Sequence, residues 1–209
     1  MHLRAGQTVG LLGGSFDPPH DGHVHITLEA MKRFGLDRVI WLFSPGNPLK
    51  PAAPATLERR MSSARRLLRH PDVLLSDYEA RKGTRYTART LAAIRADFRG
   101  VRFVWLMGAD NLHQFQKWEN WRDIMTTVPI GVLARPGDRT ARSASVAARV
   151  FRNARIPACA SRTLPLQTAP AWCFLNIPMR SDSSSVLRAS GHWPRHAREF
   201  QAAGEHADS

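Results

Sequence analysis

The sequence predicts an α/β fold in which a doubly wound parallel sheet carries helices on both faces. Short apolar runs alternate with segments of helical periodicity along most of the chain, an order that is typical of βαβ units. Apolar strands also suit a sheet that is covered on both sides. With 209 residues and 43% hydrophobic content, the chain is expected to form one domain, residues 1–209, with its core over residues 8–190.

The elements follow one another as strand–helix pairs. The predicted strands are residues 8–12, 38–43, 73–75, 102–107 and 129–134. The predicted helices that follow them are residues 23–34, 57–69, 87–99, 121–125 and 141–154. Four prolines indicate a loop over residues 44–55, and apolar side chains at helical spacing support the last helix. Residues 155–171 show no clear pattern, and residues 203–209 are expected to form a frayed tail.

Composition restricts the classes of partner. The net charge is +13 and most of the basic residues are arginine, whose side chain suits phosphate and carboxylate groups. The basic residues are spread evenly along the chain, whereas a nucleic-acid binder usually gathers them in a tail or on one face. An arginine-rich proteome is the better explanation for most of them. The charge therefore does not predict a nucleic-acid partner.

Nothing in the sequence points to a membrane or to an oxidising compartment. The start of the chain lacks the apolar run of a signal peptide, and no stretch approaches the roughly 20 apolar residues that span a bilayer. The two cysteines, Cys159 and Cys173, make neither a disulfide framework nor a zinc ribbon. We therefore expect a cytoplasmic protein without a membrane partner, and the sequence leaves a homo-oligomer open.

The most specific motif is GGSFDPPHDGH, residues 13–23, between the first predicted strand and the first predicted helix. Its glycines let the backbone approach a ligand closely where α/β proteins bind phosphates. His20 and His23, with His25 and Asp17 nearby, are also candidate zinc ligands. However, the start of a helix presents unpaired N–H groups and a positive partial charge, which favour an anion over a cation. The motif therefore favours phosphate contact over a metal site.

A second motif near the end of the chain combines Ser183, Ser184 and Ser185 with Arg188. Three hydroxyl groups that open a helix, followed one turn later by an arginine, provide an anion site by the same physics. Taken alone, the segment could be a serine-rich loop that caps an ordinary helix. Together with the first motif, it favours a second phosphate site.

These two motifs resemble the signatures of the HxGH nucleotidyltransferase superfamily, G-[ST]-F-D-P-x-H-x-G-H and I-S-S-T-x-I-R. The resemblance implies a Rossmann-like fold and a catalytic role for His20, His23 and Arg188 in stabilising the transition state at the α-phosphorus of ATP. It also implies an ATP site made of Gly14, Ser15, Phe16, His20, His23, Asp110, Ser183, Ser184, Ser185 and Arg188.

Three further stretches, residues 44–50, 79–91 and 107–124, resemble the nicotinate-mononucleotide adenylyltransferases within that superfamily, as does the Arg-Pro pair that begins at Arg135. The resemblance implies that the acceptor nucleotide is bound by Lys50, Tyr86, Thr87, Trp118 and Arg135.

The chemistry of these side chains agrees with the implied roles, although each has an alternative. Trp118 offers a flat face on which an electron-poor pyridine ring can stack, or it is a core anchor, a role that suits Trp121 better. Thr87 can bind a carboxylate beside free N–H groups at a helix start, or it is a plain cap. Asp110 can accept from a ribose hydroxyl, or it too is a cap. Lys50 either reaches a phosphate or is solvated.

The sequence therefore predicts adenylyl transfer from ATP to nicotinate mononucleotide, giving nicotinate adenine dinucleotide and pyrophosphate in NAD biosynthesis. No general base is needed, because the attacking phosphate is ionised near neutral pH. Mg²⁺ is expected to arrive with ATP, and no metal site is expected on the protein. The alternatives are an adenylyltransferase for nicotinamide mononucleotide or phosphopantetheine, and a basic nucleic-acid-binding protein on the same fold.

Overall fold

The computed structural model describes residues 1–46, 54–134 and 145–177. The strands in these ranges are β1 (Thr8–Gly14), β2 (Arg38–Phe43), β3 (Val73–Ser76), β4 (Arg102–Gly108), β5 (Ile130–Ala134), β6 (Arg155–Ile156) and β7 (Trp172–Asn176). They form one sheet in the order β3-β2-β1-β4-β5-β7-β6, and every neighbouring pair is parallel.

Helices connect most of these strands. They are α1 (Asp21–Phe34), α2 (Leu57–Leu67), α3 (Tyr78–Lys82), α4 (Thr87–Asp97), α5 (Ala109–Gln114), α6 (Trp121–Thr127) and α7 (Val146–Val150). Short 3₁₀ segments lie at Phe115–Lys117, Arg152–Ala154 and Ala158–Leu166. Helix α1 ends at Gly35, which adopts a left-handed conformation with φ of 65°, where glycine has no steric cost.

The apolar side chains separate into two clusters, one on each face of the sheet. One cluster contains Leu91 and Ile94 of α4 and Ile124 of α6. The other contains Phe34 of α1 and Ala64 of α2. Because helices cover both faces, the five inner strands are buried along most of their length, which explains why their sequences are nearly continuous apolar runs. The predicted doubly wound parallel sheet is thus confirmed.

The predicted helix over residues 141–154 is wrong in extent. Helix α7 begins only at Val146, because the hydroxyl of Ser145 accepts a hydrogen bond from the Ala148 N–H at 3.2 Å and caps the helix there. It ends at Val150, and a 3₁₀ turn follows. Residues 141–144 lie outside the described ranges.

Two strands at one edge of the sheet are missing from the prediction. Strand β6 has two residues, too few to show a period, and residues Ala158–Leu166 form a 3₁₀ segment that contains Pro165. Strand β7 inserts between β5 and β6. Its Trp172 is held by an N–H···O bond of 2.8 Å to the Phe151 carbonyl oxygen, a contact that sequence spacing does not reveal.

The strand order reverses between β1 and β4. The chain runs from β1 outward to β2 and β3 on one side and from β4 to β5 on the other, so a crevice opens at the carboxyl ends of β1 and β4, where ligands bind in such sheets. Gly13 of β1 faces the indole of Trp105 on β4 so closely that a Cβ atom at Gly13 would overlap it. Glycine at this position therefore allows the crevice to have an aromatic floor.

Candidate active site

A cleft of about 250 Å³ lies at this crevice. Its walls come from the end of β1, the end of β2, the start of α4 and the loop between α5 and α6. The lining residues are Gly13, Gly14, Ser15, Ser44, Gly46, Glu79, Arg85, Tyr86, Thr87, Trp105, Asn111, Gln114, Lys117, Trp118 and Glu119. Of the residues predicted to form the site, Gly14, Ser15, Tyr86, Thr87 and Trp118 thus line one cavity.

The two histidines of the first motif cap helix α1 reciprocally. His20 is the N-cap, and its Nδ1 accepts a hydrogen bond from the Gly22 N–H at 3.1 Å. Nδ1 of His23, in the first turn, accepts in return from the His20 N–H at 3.3 Å. Their ring centroids are 3.9 Å apart. The pair forms a capping box with imidazole rings in place of the usual hydroxyl and carboxylate groups.

This arrangement fixes where each imidazole carries its proton. A ring nitrogen that accepts a hydrogen bond has no proton of its own, so in both His20 and His23 the proton lies on Nε2. Both rings can therefore donate a hydrogen bond from Nε2 at the start of a helix, where the backbone also favours negative charge. The sequence predicted the two histidines but not the reason for their common orientation.

The buried ring of Phe16 packs against His23 of this pair. Its backbone has φ of 47°, an uncommon conformation for a residue with a side chain, and its ring is buried at 2% exposure. The ring stacks on Trp41 at 4.7 Å and meets the His23 ring edge-on at 4.9 Å. Because the Phe16 side chain faces the core, only its backbone is available to the predicted ATP site.

Arg60 of α2 is an unpredicted residue that braces the loops around the cleft. Its side chain is 1% exposed, and its guanidinium donates to the carbonyl oxygens of Ser15 at 2.6 Å, Ala55 at 2.7 Å and Ser44 at 3.0 Å. Burial lowers the pKa of this guanidinium, and the charge of Asp17 opposes that shift. Nothing in the sequence distinguishes Arg60, since it is one of several arginines of α2.

We expect Arg60→Met to lower the free energy of unfolding by about 2–4 kcal/mol, because it leaves one buried and two partly buried carbonyl oxygens without their charged donor. Arg65→Met on the same helix is the control, since Arg65 is exposed and its loss should cost less than about 0.5 kcal/mol. Urea unfolding measures both. Equal unfolding midpoints for the two variants would show that Arg60 is not a brace.

The opposite wall of the cleft is the start of α4. Thr87 is the first helical residue and Tyr86 is the N-cap, with no side-chain hydrogen bond to the free N–H groups. The interpretation of Thr87 as a plain cap is therefore wrong. A helix start without a side-chain cap that lines a cavity, with Arg85 also among the lining residues, is suited to a carboxylate or phosphate group.

The two tryptophans of the next loop differ as predicted. Trp121 is buried at 8% exposure and packs between the rings of Phe115 and Phe151, at 6.2 and 6.0 Å. Trp118 is only half-buried, and it lines the cleft. It also contacts Phe115 and Trp105 edge-on, at 5.2 and 6.3 Å. Trp121 is thus the core anchor, and Trp118 combines core contacts with an exposed part.

Asp110 and Glu79 have contrasting environments. Asp110 is exposed in the first turn of α5, outside the residues that line the cleft, and it makes no side-chain cap bond. Glu79 lines the cleft yet is only 5% exposed, and its carboxyl accepts from the Thr90 hydroxyl at 3.4 Å. Burial raises the pKa of Glu79 to about 7. The sequence pattern contained Glu79 but indicated no role for it.

Several predicted site residues lie outside the described ranges: Lys50, Arg135, Ser183, Ser184, Ser185 and Arg188. Within the described ranges, no cluster of three or more His, Cys, Asp or Glu side chains could hold a metal ion. No helix in this part of the chain combines the length and apolar character needed to cross a membrane.

Similar proteins match nearly the whole length of the chain. A family model described as cytidylyltransferase-like matches residues 11–189. A protein of Roseobacter denitrificans named "Probable nicotinate-nucleotide adenylyltransferase" is 61% identical over 190 residues, which cover 91% of this chain and 96% of the relative. A protein of Cereibacter sphaeroides with the same name is 63% identical over 185 residues, which cover 88% of this chain and 98% of the relative.

Solved structures agree on the fold. Nicotinic acid mononucleotide adenylyltransferase of Plasmodium falciparum, complexed with NaAD, superposes with a TM-score of 0.69 over 94% of this chain and 89% of that chain, at 14% identity. At this identity the likeness concerns the fold alone, whereas the bacterial relatives share most of the sequence. The chain therefore belongs to the cytidylyltransferase-like family and, within it, to the nicotinate-nucleotide adenylyltransferases.

Proposed function

We propose that the protein transfers the adenylyl group of ATP to nicotinate mononucleotide, releasing pyrophosphate and forming nicotinate adenine dinucleotide for NAD biosynthesis. The observation that carries the proposal is the pair of reciprocally capped histidines at the start of α1, next to a cleft with an uncapped helix start on its other wall. Helix starts favour anions, and one of these two follows the Gly13–Ser15 loop that lines the cleft while the other lines the cleft itself, which suits the joining of two phosphate-bearing substrates.

The reaction forms one bond and breaks one bond at the α-phosphorus of ATP. An oxygen of the acceptor's phosphate attacks the α-phosphorus, and the bond to the bridging oxygen of the β-phosphate breaks, so that pyrophosphate leaves with the electron pair. The protein must align the two oxygens and place donors where negative charge grows. The Nε2–H groups of His20 and His23 and the N–H groups of α1 are the donors that we assign to this task.

The substrates bind on opposite sides of the cleft in this proposal. The loop from Gly14 to Phe16, with Asp110, Ser183, Ser184, Ser185 and Arg188, holds ATP, whose Mg²⁺ is bound by its phosphates and water. Tyr86 and Thr87 bind the acceptor's carboxylate, the ring of Trp118 stacks on its pyridine, and Lys50 and Arg135 lie toward its phosphate. We assign the reaction to the cytoplasm, where ATP is abundant, with neither a nucleic acid nor a membrane as partner.

A pyrophosphate-release assay with ATP tests the proposal. We expect release with nicotinate mononucleotide, and much less with nicotinamide mononucleotide or phosphopantetheine. Release only with phosphopantetheine would identify a different acceptor class. Release with none of the acceptors would exclude adenylyl transfer to these compounds.

The buried carboxyl of Glu79 should make stability depend on pH. Its pKa is about 7 in the folded protein against an ordinary value of 4.5, so between these two values the folded state holds more protons than the unfolded state. The contribution of Glu79 to the free energy of unfolding is therefore fully present below pH 4.5 and is lost as pH rises toward 7, by about 3 kcal/mol at most. Glu79→Gln should remove this decline, which urea unfolding at pH 5 and pH 8 would measure.

The opposite ordering, in which Glu79→Gln is less stable than the wild type at pH 8, would show that the ionised carboxylate is a favourable partner in the fold. Glu58→Gln is the matched control, because Glu58 is exposed on α2 and its replacement should leave the difference between pH 5 and pH 8 unchanged.

A further inference from the structure

Trp105 forms the floor of the cleft. It lies on β4 opposite Leu11 of β1, and its indole extends over Gly13, two residues further along β1 on the same face of the sheet. The residue is only 2% exposed, yet it lines the cleft. The ring is thus buried by protein on most sides and bounded by the substrate cavity on the remaining one.

The indole N–H of Trp105 is buried without a hydrogen-bond partner among the described residues. The other fully buried tryptophans are satisfied, because Trp41 donates to the Thr27 hydroxyl and Trp172 to the Phe151 carbonyl oxygen, both at 2.8 Å. Buried indole N–H groups normally have a partner. An unpaired donor beside a cavity therefore requires an explanation.

The N–H lies on the side of the ring that faces the end of β1. The atoms closest to the Cβ position of Gly13 are Cη2 and Cζ2 of the indole, and Nε1 is separated from Cζ2 only by Cε2. The edge of the ring that carries the N–H is therefore the one nearer to Gly13, which also lines the cleft. Trp118 stands nearly perpendicular to Trp105, at an interplanar angle of 82°, so the two indoles form a corner.

We propose that the indole N–H of Trp105 is a specificity-determining group, which donates a hydrogen bond to an oxygen atom of the acceptor nucleotide. This inference rests on the proposed function, which places that nucleotide against Trp118. A pyridine ring that stacks parallel to Trp118 is nearly perpendicular to the Trp105 indole. In that position the oxygen substituents of the ring, or the ribose attached to it, come close to Trp105. Satisfying a buried donor only in the complex favours a ligand with an acceptor oxygen over one without it.

The direct test is NMR of protein labelled with ¹⁵N at the tryptophan indoles. The chain has six tryptophans, and the signal of Trp105 is the one that disappears in Trp105→Phe. On titration with nicotinate mononucleotide, we expect this signal to move downfield and its proton to exchange more slowly with water. A Trp105 signal that stays unchanged at saturating nucleotide would overturn the inference.

Kinetics provide a second test. Trp105→Phe should raise KM for the acceptor about three- to tenfold, the size expected for one lost neutral hydrogen bond, with kcat little changed. The control is Trp172→Phe, which removes a satisfied N–H far from the cleft. It should leave KM unchanged and lower the urea midpoint more than Trp105→Phe does, because both variants lose the same ring volume but only Trp172 loses a bond.

The outcomes separate the inference from the proposed function. If a structural water satisfies the Trp105 N–H, the NMR signal will not respond and KM will not change, although the wild-type protein still converts the acceptor; the inference is then wrong and the function stands. If the wild-type protein neither binds nor converts nicotinate mononucleotide, the proposed function itself fails.

Discussion

Replacing His20 or His23 with alanine is expected to lower turnover by about a hundredfold or more, which corresponds to about 3 kcal/mol of lost transition-state stabilisation. Each ring holds its proton on Nε2 because its Nδ1 accepts a backbone N–H, so each ring presents a donor whose direction is fixed before the substrate binds. A preorganised donor contributes most where charge grows on the leaving pyrophosphate. Pyrophosphate release at saturating ATP and acceptor measures the loss.

The same alanine variants also lose a helix cap, which alone should cost about 0.5–2 kcal/mol of stability. His20→Asn separates the two effects, because asparagine is among the best N-cap residues, yet it lacks any group at the position of Nε2. We expect His20→Asn to unfold close to the wild-type midpoint while its turnover stays as low as that of His20→Ala. Wild-type turnover in His20→Asn would show that the ring is only a cap.

Zinc present in stoichiometric amount in the purified protein, and required for activity, would instead support the metal interpretation of the two histidines. The hydrogen-bond pattern argues against it, because a metal ion and a backbone N–H would compete for Nδ1 of each ring. A metal ion would therefore have to coordinate through Nε2 of each ring. Two such nitrogens at the positive end of a helix make a poor cation site.

The sequence predicted the central part of the fold well because long-range packing and local pattern agree there. Strands buried on both faces are apolar throughout, and α1 is marked at both ends, by the histidine motif and by Gly35. The edge beyond β5 was not predicted, because a strand of two residues such as β6 depends on its neighbour β7 and has no pattern of its own.

Some residues of the candidate site could likewise be predicted from the sequence, and others could not. The glycines, histidines and Trp118 were predictable because their residue types at that spacing have a specific chemistry. Arg60 and Trp105 were not, since an arginine on a polar helix and a tryptophan in an apolar strand each fit an ordinary structural role. What distinguishes them is three-dimensional: three backbone carbonyls that converge on one guanidinium, and one indole N–H left without a partner beside a cavity.

The acceptor's charge should govern its selection. Nicotinate mononucleotide should be preferred over its amide analogue by about 30-fold to nearly 1000-fold in kcat/KM, or about 2–4 kcal/mol. The reason is the start of α4, where Tyr86 provides no side-chain cap and the cleft is open to the free N–H groups. A carboxylate can accept from these groups and from the Thr87 hydroxyl. The amide carries no charge and presents an NH₂ group that cannot accept.

Two variants separate the contribution of ring stacking from that of carboxylate recognition. Both are measured in competing steady-state assays with the acid and the amide. Trp118→Ala should raise KM for the acid and the amide by a similar factor and leave their ratio unchanged, because stacking on an indole does not depend on the carboxylate. Thr87→Val keeps the shape of the side chain but removes its hydroxyl, so it should reduce the ratio by about three- to tenfold. Equal kcat/KM for acid and amide in the wild-type protein would show that the helix start does not recognise the carboxylate. In that case the assignment of nicotinate mononucleotide as the acceptor fails, while adenylyl transfer through the histidine pair remains to be judged by the turnover of His20→Asn.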